Sequence, residues 1–156
     1  MQWADVMADR CLKDLPYKIE LDEKGRIVMS PASNQHGKLQ AKTVQLLARL
    51  LNAGEIVTEC SVGTHVGVKV ADVAWLSPDF SVRHGNATPY PEAPDLCVEV
   101  LSPSNSPEEM TEKIRLYLGY GAKEVWLVED DGRIRAFGPE GERTQSVLLG
   151  MVIPAL

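Results

Sequence analysis

The sequence predicts a mixed α/β fold, a central sheet flanked by helices, on three observations. Short apolar segments of strand character recur along the chain, two segments carry helical periodicity, and their order is strand, strand, helix, several strands, helix, strands. No repeat, low-complexity tract or break in composition divides the 156 residues. One domain spanning residues 1–156 is therefore the expectation, long enough to bury a core.

Tyr17 to Leu21 and Arg26 to Met29 flank Asp22-Glu23-Lys24-Gly25 and read as a hairpin with a four-residue loop. Ser30-Pro31 is expected to break the second strand. Ser33 suits an N-cap for a helix from about Asn34 to Asn52, with Val44, Leu47 and Leu51 as its apolar stripe and Gly54 as its stop. Strands are expected over Ile56 to Ser61, Ala71 to Ser77 and Leu96 to Ser102. The second helix is the best signalled, with Ser106 as N-cap, Pro107 at its first position and Glu109 three residues past the cap. Met110, Ile114 and Tyr117 follow at helical spacing, and Gly121 suits the residue after its end. Glu124 to Val128 and Arg133 to Phe137 are joined by a loop ending in Asp-Gly, a favoured hairpin turn. Gln145 to Leu149 and Met151 to Ile153 are expected to add an edge strand.

Composition narrows the function. The net charge of −6 argues against a protein that simply grips nucleic acid, because neutralising phosphates takes Lys and Arg. The charge is uneven: residues 1–91 hold ten basic and ten acidic side chains, whereas residues 92–156 hold six and twelve. An acidic second part suits a site that collects divalent cations. No apolar run approaches the roughly 20 residues that span a bilayer. The opening segment carries acids and no basic-then-apolar leader, so the expected location is cytoplasmic. Cys11, Cys60 and Cys97 match no zinc spacing and read as reduced thiols, mostly buried.

Two carboxylates stand out by position. Strand alternation puts Asp72 on one face with Ala74 and Leu76, and Glu99 on one face with Cys97 and Leu101. Both interrupt strands that otherwise look buried on both sides. A lone buried carboxylate is costly, and two on neighbouring strands repel unless a cation lies between them. Oxygen ligands of this kind suit Mg²⁺, with Mn²⁺ as a substitute. Alternation leaves a second reading open, in which each acid pairs with a Lys or Arg.

Lys113 lies beside Tyr117 at the edge of the second helix's stripe and can reach along the sheet surface. Helical geometry by itself favours an i,i+4 pair with Glu109, so this reading also stays open. His36 opens the first helix, where it suits either a local hydrogen bond or a phosphate contact. Tyr117 reads first as core, and Ser102 first as a turn residue whose hydroxyl is near enough to a strand end to meet substrate. No Gly-x-Ser-x-Gly elbow, Walker loop or dinucleotide fingerprint is present.

These stretches carry a resemblance. Ile27-Val28-Met29-Ser30-Pro31 with His36, then Ala71-Asp72-Val73-Ala74, then Pro94 through Ser104, and finally Lys113 with Tyr117, Gly121 and Glu124 to Val128 resemble the Uma-two family of restriction-endonuclease-like proteins. The resemblance covers residues 17–137, and its most specific part is the Glu-Val-Leu-Ser-Pro-Ser strand end followed by the Lys-x-x-x-Tyr helix. It implies a PD-(D/E)xK nuclease core with a restriction-endonuclease-like sheet. By position Asp72 matches the motif's first acid and Glu99 its second. The lysine expected two residues after Glu99 is replaced by Leu101, and Lys113 matches the helix lysine that takes its role. His36 falls where the family often shows a histidine. Ala71 replaces a usual proline, the amino-terminal lead is short and irregular, and the tail, residues 138–156, ends in Met151 to Leu156 where relatives usually continue into a further strand.

The resemblance implies a Mg²⁺-dependent endonuclease cutting nucleic acid, DNA in preference to RNA, with Asp72 and Glu99 holding the ion and a homodimer suited to double-strand cuts. The residues also suit two alternatives: a catalytically silent scaffold that binds partners, and an enzyme for small phosphoesters.

Overall fold

The computed structural model describes residues 1–156. In chain order the elements are α1 (Trp3–Ala8), β1 (Tyr17–Leu21), β2 (Ile27–Pro31), α2 (Asn34–Leu50), β3 (Glu55–Thr64), β4 (Gly67–Leu76) and α3 (Pro78–His84). They continue with β5 (Leu96–Val100), α4 (Pro107–Gly119), β6 (Glu124–Val128), β7 (Ile134–Gly138) and β8 (Gly141–Arg143). Strands β3 to β8 form one six-stranded sheet in sequential order, and β1 and β2 form a separate antiparallel pair. Only β5 and β6 run parallel, and α4 makes the connection between them. The result is a restriction-endonuclease-like α/β fold, a mixed sheet flanked by helices.

The helices form where the sequence supplies caps. Ser33 accepts from the His36 amide at 3.1 Å and Ser106 accepts from the Glu109 amide at 3.1 Å. Gly121, at φ 112°, takes the left-handed conformation after α4 at no steric cost. One face of the sheet packs on α2 through Leu39, Leu46, Leu47, Val73, Val98 and Trp126. The other packs on α3 and α4 through Phe80 and Tyr117 against Cys60, Ala74, Leu76 and Cys97. Truncating fully buried Trp126 to Ala would cost about 3–5 kcal/mol.

Several expectations need correction. The amino-terminal lead forms α1, whose Trp3 and Val6 pack on Leu21, Val68 and Val70. β2 continues through Pro31, which sits at the end of the pair opposite Tyr17 and need donate no ladder bond. β3 and β4 are longer than predicted and form one hairpin turning at Thr64 to Gly67. Gly67 lies against the Leu21 and Asp22 carbonyls, where a β-carbon would collide, so the β1–β2 hairpin seats on this turn. The edge strand expected over Gln145 to Leu149 is absent. That segment is a turn with a single bridge, Ser146 to Met151, and the edge is β8 instead. Cys60 and Cys97 are buried free thiols, whereas Cys11 is exposed. No helix is long and apolar enough to cross a membrane.

Candidate active site

The site begins where two strands part. β4 and β5 pair only over Val73–Val98, Ala74–Cys97 and Trp75–Leu96. One step further along this register Asp72 and Glu99 stand opposite each other, both buried. Here the ladder ends, and the Val100 amide donates to Asp72 Oδ2 at 2.7 Å. The β3–β4 ladder also skips this level: Thr58–Val73 and Cys60–Ala71 pair, while Glu59 between them adopts φ 52°. Left-handed backbone at a residue other than glycine is strained and tends to occur at functional sites. Gln40 of α2 caps the gap, its Nε2 donating to the Asp72 carbonyl at 2.8 Å and to Glu59 Oε1 at 2.9 Å.

Strand alternation on β1 turns Lys18 and Glu20 into the same opening. Lys18 Nζ lies 2.8 Å from Asp72 Oδ1 and 2.9 Å from Glu99 Oε2, so a single ammonium bridges both acids. Glu20 Oε1 accepts from the Val70 amide at 2.9 Å and from Lys113 Nζ at 2.9 Å. Lys113 also faces Glu99, at 3.4 Å from each oxygen, which is long for a charge-assisted bond. The i,i+4 pair with Glu109 does not form, and Glu109 instead faces Asn105 Nδ2. Tyr117, one helical turn beyond Lys113, donates its hydroxyl to Glu99 Oε1 at 2.7 Å. From the other face, His36 Nε2 lies 3.2 Å from Asp72 Oδ2.

Charges in this cluster set one another's protonation. Burial disfavours the Asp72 carboxylate, but the His36 hydrogen bond, the Lys18 ammonium and the Val100 amide outweigh it and hold the group well below its ordinary range. Burial dominates at Glu99 and pushes its carboxyl up, against Lys18 and Lys113, with Asp72 adding to the rise. Glu20 is also penalised by burial, yet Lys113 and Lys18 bring it down. Both ammoniums overcome burial through the surrounding carboxylates and stay charged more firmly than ordinary lysines. Tyr117 is pushed well up by burial and by Glu99, so it remains a neutral donor. His36 is raised, chiefly by its hydrogen bond to Asp72.

The structure thus brings together Asp72, Glu99, Lys113, His36 and Tyr117. Ser102 lies on the wall of the same cleft but is committed to its turn: its amide donates to Asn105 Oδ1 at 2.9 Å, and its hydroxyl meets Ser104 and Asn105. Lys18, Glu20, Gln40 and Glu59 are the residues that the sequence reading missed. The cleft reaching Asp72 and Glu99 encloses about 30 Å³, room for an ion or a water or two. A larger cavity of about 720 Å³ lies between α1 and the β1–β2 and β3–β4 turns and contains none of these paired charges; the chemistry belongs to the smaller one.

The donor set fits a hard divalent cation. Mg²⁺ commonly binds through one or two carboxylates and keeps several waters, and Asp72 and Glu99 offer such a pair. No cluster of three or more His, Cys, Asp or Glu side chains is arranged for a metal. The point between the two acids is held by Lys18 Nζ, so an ion entering there must displace it.

The mixed sheet flanked by helices is a restriction-endonuclease-like fold. The sequence from residue 9 to residue 152 matches the Uma2 family, described as "Putative restriction endonuclease", and the chain belongs to that family. It is similar in structure to a protein from Anabaena variabilis, described as "a putative nuclease belonging to DUF820". The TM-score is 0.71, over 91% of this chain and 82% of that one, with 20% of residues identical. At that identity the likeness speaks for the fold alone. No curated protein matches the sequence.

Proposed function

We propose that this chain is a metal-dependent endonuclease of the PD-(D/E)xK kind that hydrolyses phosphodiester bonds of DNA, with Asp72, Glu99 and Lys113 as its catalytic residues. The observation that carries the reading is the meeting of Asp72 and Glu99 at the parting of β4 and β5, with the Lys113 ammonium 3.4 Å from Glu99. Asp72 and Glu99 would hold Mg²⁺, which would make bound water more acidic and offset charge on the phosphate. Lys113, fixed by Glu20, presents its ammonium where the attacking water and the transition-state charge gather. Tyr117 orients Glu99, and His36 orients Asp72. In the reaction the water oxygen forms a bond to phosphorus, one P–O ester bond breaks, and the departing alkoxide takes up a proton. The family description supports DNA as the substrate, and a homodimer with one site per strand suits a double-strand cut.

One observation favours a second reading, a catalytically silent scaffold. Lys18 already compensates both acids, as a purely structural ion cluster would. The test is cleavage of an end-labelled DNA duplex beside a chromogenic phosphodiester, each with Mg²⁺ or EDTA. Metal-dependent cutting of the duplex supports the endonuclease. Turnover of the small ester alone assigns a small-substrate enzyme, and inactivity on both by folded protein supports the silent scaffold.

A further inference from the structure

We propose that Lys18 is a tethered cation that holds the divalent-ion position between Asp72 and Glu99 and sets the affinity of the site for that ion. This inference rests on the metal-dependent reading above.

The two lysines of the cluster stand in different relations to the acids. Lys113 has a carboxylate of its own, Glu20, at 2.9 Å, and makes only long contacts to Glu99. Lys18 makes its hydrogen bonds to Asp72 and Glu99 alone, one oxygen of each, at 2.8 and 2.9 Å. A monovalent ammonium bridging two carboxylates occupies the point that an oxygen-ligated divalent ion would take. Both cannot stay, because like charges within a few ångströms repel strongly in a poorly hydrated site.

The fold lets Lys18 be the one that leaves. Its strand, β1, belongs to the separate two-stranded pair and not to the six-stranded sheet. Its side chain is 12% exposed and already lines the narrow cleft beside Ser30, Pro31 and Ala32. Rotation of a flexible four-carbon stem moves the ammonium toward the cleft mouth without moving backbone. Lys113 lacks that freedom, being buried and held by Glu20. A phosphodiester at the mouth offers the displaced ammonium a new counterion, so substrate and metal favour each other's binding. Without substrate, Lys18 keeps metal affinity low.

The test is calorimetric titration of Mn²⁺ into the whole chain without DNA, comparing the wild type with Lys18→Met, Lys18→Arg and the double variant Lys18→Met/Asp72→Asn. The expected result is Mn²⁺ binding roughly ten- to a hundredfold tighter in Lys18→Met than in the wild type, since the competing charge is gone. Lys18→Arg, which keeps the charge, binds no tighter than the wild type, and the double variant loses the gain. If Lys18→Met does not fold, Lys18→Gln, which keeps one donor for the carboxylates, makes the same comparison. Asp72-dependent binding that is equal or weaker without the Lys18 charge overturns the proposal and leaves the metal-dependent reading standing. Absence of Mn²⁺ binding in every protein overturns both.

Discussion

Lys113 of α4 and Glu20 of β1 form a buried ion pair with Nζ 2.9 Å from Oε1, joining elements 93 positions apart in sequence. Glu20 has a second duty, accepting the Val70 amide, which lies on the half of β4 that β5 does not cover. Glu20→Ala would leave the buried Lys113 ammonium with only its long contacts to Glu99, and the buried Val70 amide without its acceptor. It should destabilise the fold by about 3–5 kcal/mol, whereas Glu20→Gln, which can still accept from Val70, should lose less. Urea unfolding of the two variants beside the wild type checks the order.

Removing Lys113 should separate chemistry from metal binding. Lys113→Met keeps Asp72 and Glu99, so Mn²⁺ binding should persist or strengthen. DNA cleavage should fall by about a hundredfold or more, the scale of losing one electrostatic stabiliser in the transition state. Calorimetry and a cleavage time course on the same preparation decide the matter.

Asp72 and His36 should report each other by NMR. The imidazole is raised above its ordinary 6.5 chiefly by the Asp72 hydrogen bond, so Asp72→Asn should lower its titration midpoint. A histidine raised by folding adds stability that is fully present below the unfolded midpoint and lost as pH climbs through the folded one. Asp72 works in the opposite sense. Its depressed carboxyl adds stability above its ordinary 3.8, and that stability is lost as pH falls toward the folded value. Wild-type stability should therefore decline below about pH 4, and the decline should be shallower in Asp72→Asn.

Glu124 is the counter-example that shows what a structural strand acid looks like. It is fully buried on β6, and it accepts from Trp126 Nε1 at 3.0 Å, Ser146 Oγ at 3.0 Å, and the Val147 and Leu148 amides at 3.1 and 3.2 Å. Every partner is a neutral donor, and together they pin the 146–149 turn to the sheet. Glu124→Ala should speed hydrogen exchange at the Val147 and Leu148 amides and leave Mn²⁺ affinity unchanged.

Glu124 also explains how far the site was legible in the sequence. It opens its strand after Lys123, where an acid reads as a solvated strand end, and only the turn folded over it buries it. Asp72 and Glu99 were readable because a carboxylate amid Val, Ala and Leu on a buried strand demands an explanation. Lys18 and Glu20 were not, because Tyr-Lys-Ile-Glu-Leu reads as a hairpin strand with its charges in water. Their partners lie at least 50 positions away. Glu59 was hidden for a different reason, since a left-handed backbone at a glutamate leaves no mark on composition.

The same contrast holds for the fold. α4 announced itself through Ser106, Pro107 and a sustained apolar stripe. α3 has the same opening in Ser77, Pro78 and Asp79, but it is only 7 residues long and buries only Phe80, so periodicity had little to act on. The tail turn reads as a strand because its apolar residues, Leu148, Leu149 and Ile153, pack against the core, but they form no ladder.

Metal-dependent hydrolysis at Asp72 and Glu99 can be read out in a plasmid assay. Supercoiled DNA is incubated with the wild type or with folded Glu99→Gln, in Mg²⁺, Mn²⁺ or EDTA. The wild type should give nicked or linear DNA in either metal, and the plasmid should stay intact in EDTA and with Glu99→Gln. Equal cutting by both proteins would contradict the assignment of the site, and intact plasmid with folded wild type in both metals would contradict the endonuclease reading.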